Sequence, residues 1–147
     1  MKTYYKVLTL DPEFGLISAN YSPNVAERLT SGTIIQYTQN IWTHPKLMGS
    51  NLFVFEDKES AIDYIDSVKN GMSKKVLYEC EVENPSCMGI FDMDYFISCY
   101  NSSFLKKLKA KNNKEKYRID YTEVPRGTIF CDAIKLTKDI TSDCNIL

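Results

Sequence analysis

The stretch "KKVLYECEVE", Lys74 to Glu83, alternates along its whole length. Val76, Tyr78, Cys80 and Val82 fall on one side of an extended chain, and Leu77, Glu79, Glu81 and Glu83 on the other, because successive side chains of a strand point to opposite faces. The glutamates mark the wetter face. A strand with one dry and one wet face belongs in an antiparallel sheet. Ten tyrosines and seven phenylalanines against a single tryptophan agree with a sheet-rich protein carrying many half-buried rings.

Further strands are expected at "TYYKVLTL" (Thr3 to Leu10), "TIIQY" (Thr33 to Tyr37), "LFVF" (Leu52 to Phe55), "YRIDYTEV" (Tyr117 to Val124) and "TIFCDAIKL" (Thr128 to Leu136). The unbroken apolar run of "LFVF" implies burial on both faces. Pro12 and Gly15 form a turn after the first strand, and "PRG", Pro125 to Gly127, forms another before the last. The clearest helix signal is "DKESAIDYIDSVKNG", Asp57 to Gly71. Asp57 can cap its first amides, Glu59 suits the positive end of its dipole, and Gly71 sits where a helix stops. Ala61, Tyr64, Ile65 and Val68 make one apolar stripe. A short helix is expected from Ser22, with Pro23 at its first position and Gly32 at its end. A second helical region is expected over Asp92 to Lys111, with Ile97, Tyr100, Phe104 and Leu108 inward. With no regular β-α-β alternation, the class is α+β: a mainly antiparallel sheet of about six strands with one clear helix packed on it. At 147 residues the chain fits a single domain, taken as residues 1–136, with 137–147 as a loosely held tail.

Charge and cysteines narrow the function. A formal net charge of -1 gives no overall field to draw nucleic acid or a membrane surface. Five cysteines at irregular spacing, with no secretory signal, imply reduced thiols and a soluble cytoplasmic protein. No apolar run approaches the ~20 residues of a membrane span. The glycine patterns GxGxxG and GxxxxGK[ST], and the GxSxG elbow, are absent. One histidine and no CxxC pair leave no zinc set, so no metal or other cofactor is expected. Glu79, Glu81 and Glu83 have the chemistry to hold a metal or to act as acid and base, but read better as a solvated strand face, as Asp63 and Asp66 do for the helix.

Three features can meet a ligand. "QNIWTHPKLMGSNLFVF" places the only tryptophan and the only histidine two positions apart in a turn-rich loop. There Trp42 offers a stacking face, His44 a hydrogen bond and Lys46 a cation. The alternative is that Trp42 drops onto the core. In "VPRGTIFCDAIKL", Arg126 stands at the tip of a tight turn with Thr128 after it, placed to meet a carboxylate or phosphate. The basic run from Lys106 to Arg118 reads as a solvated surface, with nucleotide binding as its functional alternative. The expected ligand-binding set is Trp42, His44, Lys46, Arg126 and Thr128, with no catalytic residue assigned.

Taken together, "YYKVL", "LFVFEDKESAIDYI", "VLYECEVE" and "PRGTIFCDAIKL" resemble small accessory proteins encoded by bacteriophages and bacteria. The resemblance implies a compact accessory protein rather than a metabolic enzyme. By analogy of class and size, it implies a phage counter-defence protein in the host cytoplasm, one that sequesters a nucleotide-like signal or engages a host protein. A second copy of the chain is a further candidate partner. The arrangement of short strands around one early helix also resembles ADP-ribosyltransferase-like domains. Those carry a histidine or arginine on an early strand, which "TYYKVLTL" lacks. That enzyme class, or another nucleotide-processing enzyme, is the alternative, as is a protein–protein inhibitor without a small ligand.

Overall fold

The computed structural model describes residues 2–19, 25–32, 34–46, 51–68, 74–87, 89–90, 118–119 and 125–144. The expected α+β architecture is what these residues form: a mostly antiparallel, open sheet of eight strands with two helices. In chain order the strands are β1 (Tyr4–Asp11), β2 (Gly15–Ser18), β3 (Gln36–Tyr37), β4 (Trp42–Thr43), β5 (Leu52–Phe55), β6 (Lys74–Glu83), β9 (Thr128–Cys131) and β10 (Ala133–Asp139), while β7 (Gly89–Ile90) and β8 (Arg118–Ile119) form a separate pair. The helices are α1 (Val25–Ser31) and α2 (Lys58–Val68).

The main path across the sheet is β3-β2-β1-β6-β10-β4. β1 and β6 run antiparallel from Tyr4↔Cys80 to Leu10↔Lys74, and β10 joins the far side of β6. The chain turns a corner at Asp132. Before it, β9 pairs with β5; after it, β10 pairs with β6. Both Asp132 carboxylate oxygens are held at this corner, by the Asn51 amide at 2.8 Å and the Asn84 amide at 3.0 Å. β5 in turn touches β1 at Tyr5↔Phe55.

The sheet is strongly curled. Six strands laid flat would put the two edge strands about 24 Å apart at ordinary spacing. Yet β3 and β4 are joined by Thr38–Ile41 alone, a link that reaches at most about 19 Å. Asn40 takes a left-handed conformation, φ 66°, to make this passage, and its amide donates to the Leu136 carbonyl at 2.8 Å. Curling brings Ile35 and Tyr37 from one edge into the same buried cluster as Ile134 and Leu136 near the other, together with Tyr4, Leu8, Leu52, Val54, Val76, Tyr78 and Cys80. This concave face is the main core. Its side chains are those the alternation of "KKVLYECEVE" assigned to the dry side.

Lys6 also enters that interior, although it is a lysine. It is 1 % exposed, donates to the Phe53 carbonyl at 2.8 Å and lies 4.2 Å from the Phe53 ring centroid. Buried cations persist only when hydrogen-bonded or paired, and ring faces add to that.

The opposite, convex face is covered in part by α2. Ala61, Tyr64 and Ile65 are buried, as their spacing requires, against β1 and β5. Tyr64 meets the Phe53 ring edge-on with centroids 5.8 Å apart. All four residues of "LFVF" are buried, two toward each face. Asp57 caps α2 through the Ser60 amide at 2.8 Å.

Several elements differ from expectation. β3 keeps only Gln36–Tyr37 of "TIIQY", because Ile35 satisfies its backbone through Ser18 instead. β2 and β4 are strands that the pattern did not mark. "TIFCDAIKL" divides at Asp132, and its second part runs on to Asp139. The expected loose tail is therefore tied down through Cys144: Thr137 Oγ1 donates to the Glu79 carbonyl at 3.0 Å, the Ile140 amide donates to Leu77, and Ile140 and Cys144 are buried. Ser22 and Pro23, the helical region Asp92 to Lys111 and most of Tyr117 to Val124 lie outside the described residues.

Candidate ligand-binding face

The convex face beyond α2 gathers charged and aromatic side chains on three adjacent strands. β4, β10 and β6 lie side by side there, with Trp42 opposite Lys135 and Lys135 opposite Glu81. Residues opposite one another in adjacent strands point to the same face, so the three form one row across the sheet. The Lys135 ammonium lies 5.3 Å from the centroid of the Trp42 ring and 3.6 Å from a Glu81 carboxylate oxygen. A second row places Tyr5, Glu79 and Lys138 across β1, β6 and β10. Glu79 and Glu81 of β6 thus each stand opposite a lysine of β10, and the Glu81 row ends at an indole.

Trp42 is half-buried, neither enclosed in the core nor free of the sheet. His44, two residues on, is exposed. Lys46 is exposed along its side chain, but its ammonium donates to the Leu29 carbonyl at 3.1 Å, in the last turn of α1. Lysine amines commonly close helix C-termini this way. Lys46 therefore anchors the loop that carries Trp42.

Arg126 and Thr128 sit elsewhere, against the start of α2. Arg126 pairs with Asp63 at 2.9 Å, both side chains largely in water. The Thr128 hydroxyl is buried and donates to the Pro125 carbonyl at 2.6 Å. Between them Gly127 has φ +81°, and a Cβ there would collide with the Ser60 hydroxyl. The Gly127 carbonyl accepts from the Glu56 amide at 2.7 Å, so the turn is docked on the helix cap. Among the described residues no hydrogen bond, ion pair or ring contact links Trp42, His44 or Lys46 to Arg126 or Thr128. The structure joins the expected residues in two groups, on β4 and its loop and on the α2 cap. The cation it brings to the Trp42 ring is Lys135.

Lys135 was not singled out by sequence, and Glu81 was weighed only as one of three carboxylates on a strand face. The alternation of "KKVLYECEVE" placed Glu81 on the wet face, but only the β6–β10–β4 pairing shows what stands beside it. Among the described residues no group of three or more histidine, cysteine or acidic side chains is placed to hold a metal ion.

At the other end of the convex face, Lys75 is 5 % exposed and donates to Thr9 Oγ1 at 2.8 Å and to the Ala19 carbonyl at 2.6 Å. Burial lowers its amine from 10.5 to about 8. Cys80, Cys131 and Cys144 are free and buried, and Cys87 is free and exposed. Burial pushes the Cys80 thiol up to about 12, away from nucleophilic chemistry. Among the described residues no helix is long and apolar enough to cross a membrane.

Compared with known proteins, the chain matches no family model, no curated protein and no solved structure.

Proposed function

We propose that this protein is a small binding protein whose ligand site is the Trp42 end of the convex face, and that its ligand is nucleotide-like. The observation that carries this reading is the half-exposed Trp42 ring on an edge strand, with exposed His44 beside it and the Lys135 ammonium against it. An indole face stacks on a planar base, and a neighbouring ammonium meets a phosphate. The finer reading is a phage accessory protein that captures a nucleotide signal in the host cytoplasm. It draws on the resemblance of "LFVFEDKESAIDYI" and "PRGTIFCDAIKL" to such proteins, and the free cysteines agree with a reducing compartment. A gene set among phage genes supports it, and one inside a metabolic operon counts against it.

Equilibrium dialysis against mononucleotides, cyclic nucleotides and dinucleotides tests the binding reading. The wild-type chain should retain at least one of them, and denaturation should return it chemically intact. Loss of a stacking contact is worth roughly 1–3 kcal/mol per base, so Trp42→Ala should weaken retention by about tenfold or more. Recovery of a converted product would favour the ADP-ribosyltransferase-like or nucleotide-processing alternative. Retention of nothing would remove the nucleotide reading.

One observation favours a second reading, a protein partner. Ile41 is 58 % exposed and directly precedes Trp42, at the end of the link that enters the edge strand β4. An exposed aliphatic and an aromatic at a sheet edge suit a host protein surface.

A further inference from the structure

We propose that the Trp42–Lys135–Glu81 row is a guarded anion site: Glu81 holds Lys135 while the site is empty, and an anionic group on a ring stacked against Trp42 takes its place. The proposal rests on the binding reading above and names the ligand's chemistry, a planar aromatic bearing an anionic group, the class of a nucleoside monophosphate.

β4, β10 and β6 are consecutive neighbours, so the indole, the ammonium and the carboxylate lie in line on one face. Lys135 is in the middle and touches both, at 5.3 Å to the ring centroid and 3.6 Å to Glu81. The ion-paired side chains are 29 % and 31 % exposed, so solvent and a ligand reach them. A pair this exposed is weak and exchangeable. The expected cations Lys46 and Arg126 are engaged by the Leu29 carbonyl and by Asp63. A cationic ligand is disfavoured at the ring because Lys135 already occupies that position.

Trp42 is the only tryptophan in the chain, so its fluorescence reports this site alone. Iodide, caesium and acrylamide are the probes: an anion, a cation and a neutral control, used at constant ionic strength. The quantity read is iodide quenching relative to acrylamide quenching. Glu81→Gln should raise it about two- to fivefold, the range expected for release of a partly exposed ion pair. Lys135→Met should lower it, with caesium moving the opposite way. Glu83→Gln makes the same charge change on the same strand face, one pairing away, opposite Ala133, and should move it much less. Equal responses to Glu81→Gln and Glu83→Gln, or none to either, overturn the guarded site. Titration with adenosine monophosphate and adenosine then separates the two claims. The monophosphate should bind more tightly than the nucleoside, with the gap widened in Glu81→Gln and closed in Lys135→Met. An iodide response as expected, with no response to either adenine compound, keeps the guarded anion site and removes the nucleotide reading. Binding of both compounds equally in all three chains keeps the ring as a platform and overturns the guard.

Discussion

Lys75 shows how a single side chain can tie pH to stability in this fold. Its ammonium is buried against Thr9 and Ala19, and burial brings its folded pKa to about 8 from 10.5. Between those values the folded chain has released a proton that the unfolded chain still holds. Stability contributed through Lys75 therefore rises as pH goes from about 8 to 10.5. Denaturant titrations across that window should show wild type gaining on Lys75→Met. A constant difference between the two chains would mean that the amine titrates alike in both states. Gly127 is the other residue with a sharp requirement. Its φ of +81° and its contact with Ser60 both exclude a side chain. Gly127→Ala should cost about 1–3 kcal/mol in denaturant unfolding. Cys80, Cys131 and Cys144 are reduced core residues, so a reducing agent should leave the melting temperature nearly unchanged.

Among the elements, α2 and β6 were legible because each repeats its own period over enough residues to be read locally. The stripe of α2 is buried at Ala61, Tyr64 and Ile65, while Asp63 points to water and pairs with Arg126. Ile65→Ala should cost about 2–5 kcal/mol. Asp63→Ala removes only an exposed ion pair and should cost less than about 1 kcal/mol. Equal effects of the two changes would contradict the packing of α2 on β1 and β5. β2 and β4 were not legible, with four and two residues respectively. Each is a strand only because a neighbour supplies its hydrogen bonds, β1 for one and β10 for the other. The corner at Asp132 was hidden for the same reason, since Asn51 and Asn84, which hold it, come from distant parts of the chain.

On the scale of the whole molecule, curling of the sheet decides which side chains meet. It buries one face around Tyr4, Leu8, Tyr78, Cys80 and Leu136, and it sets β4 beside β10. The sequence marked Trp42 and His44 as ligand-capable by rarity and turn context. It could not bring Lys135 to Trp42, because residues 93 positions apart meet only through sheet pairing. Nor could it show that Lys46 and Arg126 each have a partner, since Leu29 and Asp63 become neighbours only on folding. Everything assigned to the convex face depends on Trp42 standing at the surface. Urea unfolding of Trp42→Ala, followed by circular dichroism, measures this most directly. A half-buried indole on a two-residue edge strand should cost less than about 2 kcal/mol when removed; a loss of about 3–5 kcal/mol would make Trp42 a core residue and contradict the site.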